Sequence, residues 1–301
     1  MKTLPFLIPG AKIRIVSPAG KCTEEQIMPA VNWLKENGYQ VELGRNVFGT
    51  HYQYSGLDQE RLSDLQEALD DPEAKAIICS RGGYGTIRLI DQLDFSRFRK
   101  HPKWLVGYSD ITILHNRLHL SGFPTIHGAM CRSFFPENGI PTESLLSLMD
   151  LLRGEKPEYK VASSAGNHPG TETANLVGGN LSLLYSLSGT PYELDTAGKI
   201  LFIEDIGEYL YHIDRMMVSL RLAGKLKYLA GLVVGQFTEV KDNEDPFGNT
   251  VEAIILDAVR DYDFPVCFNF PAGHGQPNLA LRFGSLWKLK VTGKNCSLKL
   301  L

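Results

Sequence analysis

The stretch WLVGYSDITIL, from Trp104 to Leu114, places a short apolar run, a glycine, one serine and one aspartate before a segment with helical spacing. The apolar run is typical of a buried strand, and the residues that follow it continue as a helix. A serine between a strand and a helix lies at the carboxyl edge of a sheet, where open α/β folds bind ligands. Ser109 is therefore a turn residue, a helix N-cap, for which serine is well suited, or a nucleophile.

The same alternation of short apolar runs and helix-period segments extends through the first half of the chain. KIRIV (12–16), QVEL (40–43) and AKAIIC (74–79) are predicted strands, and Thr23 and Gln26 stand in capping-box register at the start of a predicted helix. The pattern predicts an α/β fold with a mostly parallel sheet flanked by helices.

Between about residues 151 and 173 the apolar periodicity fades, and Lys, Glu, Ser, Gly and Pro become frequent. We therefore predict an N-terminal domain over 1–155, a linker over 156–172 and a second domain over 173–301. The second domain is predicted to be a smaller, β-rich α/β domain that ends in an alternating hairpin.

Composition excludes several classes of protein. The 301 residues are 43% hydrophobic and carry a formal net charge of −3, with no basic stripe suited to nucleic acid or to a membrane surface. The five cysteines are widely separated and form no CxxC pair, which indicates reduced thiols. The apolar run at the N-terminus is broken by Pro5 and Pro9 and is too short for a signal peptide or a membrane span, so we expect a cytoplasmic protein.

A glycine-rich turn, SRGGYG (80–85), follows the predicted strand AKAIIC directly. Gly82, Gly83 and Gly85 allow positive φ angles and a close approach of the backbone to a ligand, so their amides could donate to an oxyanion. The backbone amide of Asp110, at the start of the next helix, is a second candidate donor. The alternative is an ordinary tight turn.

Acid and base candidates lie in the second domain. LFIEDIGE ends a predicted strand with Glu204 and Asp205, and Glu208 follows, so any of the three could orient an imidazole, although exposed acids are common. His274 lies between two glycines just past another predicted strand, which leaves room for a substrate around a general base, but it could also be a solvated loop residue.

A metal site is not expected. His115 and His119 are four residues apart on the predicted helix, but Asn116 stands where the HExxH zinc motif has its glutamate. No other segment indicates a cofactor.

Eight ordered landmarks resemble one family along nearly the whole chain. They are SPAG (17–20), SRGGYG (80–85), GYSD (107–110), HG (127–128), LVGGNLSLL (176–184), FIEDIGE (202–208), IDRM (213–216) and GH (273–274). The chain resembles the LD-carboxypeptidases of peptidase family S66, the muramoyltetrapeptide carboxypeptidases.

This resemblance implies roles for specific residues. Ser109 would be the nucleophile, His274 the general base and Glu204 the acid that orients it. Gly83 and Asp110 would supply the oxyanion hole, in an active site in the cleft between the two domains. Arg81, Tyr84 and Asn180 are the expected substrate contacts.

The implied activity is release of the terminal D-alanine from cytoplasmic muropeptide tetrapeptides during peptidoglycan recycling, by a homodimer that needs no metal or cofactor. Arg81 is a candidate for recognising the substrate's terminal carboxylate, because an exopeptidase must favour a free carboxyl end. The alternative for Arg81 is a structural ion pair.

Two other functions stay open. A microcin C self-immunity peptidase would use the same triad on a peptidyl-nucleotide. A non-catalytic two-domain protein would bind a small ligand between its α/β lobes.

Overall fold

The computed structural model of the chain describes residues 2–135 and 141–301. It divides into two compact units, Met1–Glu155 with Leu279–Arg282, and Lys156–Asn278 with Phe283–Leu301. Each unit contains a sheet of its own, mostly parallel in the first and mixed in the second. The predicted pair of α/β domains is confirmed.

Five strands from the N-terminal half build most of the first sheet. They are β1 (Lys12–Val16), β2 (Gln40–Leu43), β3 (Ala74–Cys79), β4 (Trp104–Gly107) and β5 (Thr125–His127). These five run parallel in the order β5-β4-β3-β1-β2. A sixth strand, Leu281–Phe283, lies beside β5 at the edge. Because β1 to β5 are parallel, the residues that follow them lie along one edge of the sheet.

Helices connect these strands, as the apolar periodicity predicts. They are α1 (Glu24–Glu36), α2 (Asp58–Asp70), α3 (Ser96–Lys100), α4 (Thr112–Leu120) and α5 (Glu143–Arg153). The capping box at the start of α1 is confirmed, and the Thr23 amide donates to Gln26 Oε1 at 3.1 Å. This pairing satisfies a backbone donor that the helix itself leaves open.

The second unit contains a seven-stranded sheet of mixed direction. Its strands are β6 (Glu158–Ala162), β7 (Gly170–Asn180), β8 (Ile200–Ile206), β9 (Gly231–Thr238), β10 (Val266–Cys267), β12 (Leu286–Val291) and β13 (Asn295–Leu300). The strand β11 (Leu281–Phe283) is the edge strand of the first sheet. The order is β10-β9-β8-β7-β12-β13-β6, with β7 to β10 parallel and the rest antiparallel.

Three helices of this unit bury their apolar sides in one core. They are α6 (Leu181–Ser186), α7 (Leu210–Leu222) and α8 (Val251–Val259). Met216 and Met217 of α7 are fully buried in that core, as their helical spacing predicts. Within residues 2–135 and 141–301, none of the helices combines the length and the apolar character needed to cross a bilayer.

The segment 156–172 differs from the expected linker. It contains β6 and the first residues of β7, and β6 pairs with β13 at the edge of the second sheet. An edge strand with no fully buried residue shows no apolar periodicity, which is why the sequence there is typical of a linker.

Gly178 provides a test of the second sheet. Its φ is +137°, and a Cβ atom there would lie 1.9 Å from the carbonyl oxygen of Phe202 on β8. We expect Gly178→Ala to lower the free energy of unfolding by about 3 kcal/mol or to prevent folding, because both the φ angle and the contact exclude a side chain.

The measurement is thermal and urea unfolding of the purified protein. Gly293→Ala is the matched control, since a Cβ atom there meets nothing within 4 Å. Equal stability of the two variants would contradict the close packing of β7 on β8.

Candidate active site

Ser109 lies in a strained turn between β4 and α4. Its φ is +62°, a left-handed conformation that side chains other than glycine seldom adopt. Residues Ser109–Ile111 form a 3₁₀ turn with no side-chain cap, and α4 likewise begins without one, so the N-cap interpretation of Ser109 is wrong. The strain is typical of functional residues that a rigid framework holds in place.

Gly107 makes this turn tight enough to form. A Cβ atom on Gly107 would lie 2.8 Å from the Ile111 side chain, so β4 and the start of α4 can approach this closely only with glycine there. His115 of α4 also fixes the turn, because its Nε2 donates to the Gly107 carbonyl at 2.9 Å. Burial lowers the pKa of His115 to about 4, so its ring is neutral at physiological pH.

The glycine-rich loop packs directly on the candidate nucleophile. A Cβ atom on Gly82 would lie 2.8 Å from Ser109 Cβ and 3.0 Å from its Oγ. Gly83, with φ +119°, is exposed, and its backbone amide donates to no backbone acceptor within the described part of the chain. The Gly83 amide is thus a donor one residue from the contact with Ser109, and its place in an oxyanion hole stays a prediction.

Asp110 joins the serine turn to the same loop. Its carboxylate accepts from the Thr86 amide at 2.8 Å and is 2% exposed. Burial raises the pKa of Asp110, although the hydrogen bonds from Thr86 act in the opposite direction. The bond explains why an aspartate follows the serine, which the sequence pattern did not indicate.

The two predicted substrate contacts in this loop differ in exposure. Tyr84 is 47% exposed and lies beside Tyr54, with 6.0 Å between ring centroids. Arg81 is half-buried, and its Nε and Nη1 donate to the carbonyl oxygens of Gly82 and Lys21 at 3.3 and 3.0 Å. Arg81 forms no ion pair with any residue that the structure describes, so the structural ion pair considered for it is not found.

In the second unit, His274 and Glu204 form a buried pair. His274 Nδ1 donates to Glu204 Oε2 at 2.6 Å, and the two side chains are 12% and 0% exposed. Burial lowers the pKa of His274, but the hydrogen bond and the negative charge of Glu204 outweigh it, and the pKa is raised above its usual value. In the neutral ring, a protonated Nδ1 leaves the lone pair on Nε2, as a general base requires.

The other two acids considered for this role are engaged elsewhere. Glu208 pairs with His212, one turn along α7. Asp205 accepts from Asn180 Nδ2 at 2.9 Å and from the Ser182 amide at 2.8 Å. Burial, followed by the charge of Glu204, raises the pKa of Asp205 to about 7.

Asn180 is 4% exposed and caps α6. Besides the bond to Asp205, its Oδ1 accepts from Ser182 Oγ at 2.7 Å and from the Leu183 amide at 3.3 Å. These contacts give Asn180 a structural function, and a direct contact with substrate stays a prediction.

The loop that carries His274 is held by two residues that the sequence did not single out. The Gly273 amide donates to Asn278 Oδ1 at 2.9 Å, and the Gly275 amide donates to Gln236 Oε1 at 2.8 Å. A Cβ atom on Gly273 would lie 2.9 Å from Glu204 Oε2, so glycine is required for the approach of His274. Amide side chains are too common to mark such positions from sequence alone.

No group of three or more His, Cys, Asp or Glu side chains among residues 2–135 and 141–301 has the arrangement of a metal site.

Comparison with known proteins identifies the family. Residues 13–128 match the LD-carboxypeptidase N-terminal domain, and residues 173–289 match the LD-carboxypeptidase C-terminal domain. The chain belongs to the LD-carboxypeptidases, peptidase family S66. Its assignment as an enzyme is therefore confirmed, against the non-catalytic binding protein.

Individual relatives agree with the family. The Bacillus subtilis (strain 168) protein named "Probable murein peptide carboxypeptidase" is 38% identical over 92% of this LD-carboxypeptidase and 88% of the relative. The crystal structure of muramoyltetrapeptide carboxypeptidase from Oxalobacter formigenes is 30% identical, with a TM-score of 0.87 over 96% of this chain and 98% of that one. The microcin C7 self immunity protein MccF, 20% identical with a TM-score of 0.87 over 99% and 98% of the two chains, shares the fold.

The His274–Glu204 pair can be tested by titration. In Glu204→Gln the imidazolium loses its negative partner while its burial persists, so the pKa of His274 is expected to fall from above to below its usual value of about 6.5. NMR of the imidazole protons against pH measures this shift. Glu208→Gln is the control, and it should leave the pKa of His274 unchanged.

Proposed function

We propose that this LD-carboxypeptidase releases the terminal D-alanine from muropeptide tetrapeptides, acting in the cytoplasm during peptidoglycan recycling. It cleaves the bond between the L-centre of the diamino acid and D-alanine. The names of the relatives from Bacillus subtilis and Oxalobacter formigenes support this substrate class. The observation that carries the proposal is the hydrogen bond from His274 to the buried Glu204, because it builds a general base into a member of a peptidase family.

Acylation follows from the residues in their proposed roles. Ser109 Oγ attacks the scissile carbonyl carbon, and its proton passes to His274 Nε2. The amides of Gly83 and Asp110 donate to the oxygen that becomes negative. The C–N bond then breaks, and the leaving amine of D-alanine takes the proton from His274.

Deacylation repeats these steps with water. His274 takes a proton from a water molecule, whose oxygen attacks the ester carbonyl of the acyl-enzyme. The bond to Ser109 Oγ breaks, the oxygen regains its proton from His274, and the tripeptide leaves with a free carboxylate. Throughout, the Glu204 side chain accepts the hydrogen bond from Nδ1 and stabilises the imidazolium.

The raised pKa of His274 predicts the acid limb of the pH profile. The base acts only when its imidazole is neutral, so kcat/KM falls as the pH drops through that pKa, which lies above the ordinary value of about 6.5.

A homodimer also stays part of the proposal, as does substrate contact by Tyr84 and Arg81.

The nucleophile is tested with an L-Ala-γ-D-Glu-diaminopimelate-D-Ala peptide. Ser109→Ala should abolish D-alanine release, measured by mass spectrometry, and labelling by a serine-directed phosphonate, because the attacking oxygen is lost. Ser63→Ala, an exposed position on α2, is the control and should keep full activity. Release of D-alanine by a folded Ser109→Ala protein would remove Ser109 from its proposed role.

The orienting acid is tested by two matched substitutions. Glu204→Gln should lower kcat on the order of 10⁴-fold, because an amide can hold the imidazole in the wrong tautomer and carries no charge. Glu208→Gln, which removes only the pair with His212, should have a mild effect. The reverse ranking of the two kcat values would assign the role to Glu208.

A further inference from the structure

Arg132 lies beside the glycine-rich loop, although it is distant from that loop in sequence. It belongs to the 3₁₀ turn Cys131–Ser133, which follows β5. Its backbone amide donates to the carbonyl of Ser80 at 3.0 Å, and Ser80 immediately precedes Arg81. Arg132 is exposed and borders a cavity of about 310 Å³ together with the first turns of α1. It therefore stands at the same sheet edge as Ser109.

Arg81 and Arg132 are neighbouring cations that form no ion pair within residues 2–135 and 141–301, although Glu25 lines the same cavity as Arg132. Burial lowers the pKa of Arg81, and the positive charge of Arg132 lowers it further. Neither guanidinium pairs with an acid among the residues that the structure describes.

Several other arginines of the first unit have acid partners, whereas Arg97, Arg99 and Arg153 form no ion pair within the described ranges. Arg14 pairs with Glu42, and both Arg61 and Arg88 pair with Asp58. Two adjacent positive charges repel each other, and an anion bound between them removes this repulsion. The closeness of the two charges, and not the lack of an acid partner by itself, therefore favours an anion site at the Arg81 and Arg132 pair.

We propose that Arg132 and Arg81 together bind the C-terminal carboxylate of the peptide substrate. The inference rests on the proposed function, which supplies a substrate with a free carboxyl end. Arg81 is held by Gly82 and Lys21 through Nε and Nη1, so the two N–H groups of Nη2 and the second N–H of Nη1 are the donors left for a ligand. A carboxylate has two oxygens, and Arg132 donates to the second.

This site explains how an exopeptidase rejects longer chains. A peptide that continues past D-alanine, or ends in an amide, brings no negative charge between the two guanidiniums. The arginines then lose water without gaining a partner, and this penalty discriminates against the wrong substrate. Arg132 is thus a specificity-determining residue, and the chemistry at Ser109 does not require it.

The test compares the free tetrapeptide with its C-terminal amide. We expect Arg132→Met to raise KM for the free acid about tenfold with a smaller change in kcat, and to lower KM for the amide, because the amide no longer desolvates Arg132 without a partner. Arg132→Lys should restore part of the preference, because it keeps the charge but loses the planar fork. Arg99→Met, an exposed arginine on α3, is the control and should match the wild type.

Binding to an inactive enzyme separates this inference from the proposed function. Calorimetry with Ser109→Ala should show tighter binding of the free acid than of the amide, and adding Arg132→Met should remove most of that difference. If the wild type releases D-alanine but Arg132→Met keeps the full preference for the free acid, the inference fails and the proposed function stands. If the wild type releases none, the proposed function fails, and the binding preference of the Ser109→Ala protein still decides whether the carboxylate site exists.

Discussion

The hydrogen bond between Glu204 and His274 stabilises a fully buried carboxylate in the second unit. An ionised carboxylate that is fully buried is costly unless a charged or hydrogen-bonding partner compensates for lost water. Glu204 Oε2 accepts a hydrogen bond from His274, whereas Oε1 has no hydrogen-bond partner within the described ranges. The imidazole therefore provides most of the stabilisation that replaces the lost hydration of the carboxylate. Burial and, after it, the charge of Glu204 raise the pKa of Asp205, so the same cost of a buried charge applies to the next residue of β8.

In the first unit, the constraint is the close approach of two backbone segments at one edge of the sheet, the Ser109 turn and the glycine-rich loop. Ser109 adopts a left-handed conformation, and Gly82 packs against it with no room for a side chain. Such strain persists only where the surroundings determine it, and here β4, α4 and the Asp110 bond to Thr86 do so. The fold thus fixes the backbone of Ser109, and in its proposed role as nucleophile this would lower the cost of reaching the reactive geometry.

Local patterns in the sequence predicted most strands and helices, because alternating apolar runs and caps such as Thr23 act over a few residues. They also indicated Ser109, Glu204 and His274, since Ser109 and His274 come after predicted strands and Glu204 lies near the end of one. The patterns did not predict β6, whose exposed edge position leaves no apolar period, nor the support of His274 by Gln236 and Asn278. Such contacts join residues far apart in the chain or lie within irregular loops, where no period exists. The capping function of Asn180 is instead a local contact with the start of α6, and asparagine there is a signal that the sequence does carry.

The edge strand β11 has a consequence for folding during synthesis. Leu279–Arg282 belong to the first unit, where the Ala280 amide donates to Ser147 Oγ of α5 at 3.0 Å. On the ribosome, the first sheet therefore waits for residues made more than a hundred positions after β5. During that interval the edge of β5 has open donors and acceptors that can pair with another chain. This unpaired edge is a risk for aggregation until residues 281–283 have been translated.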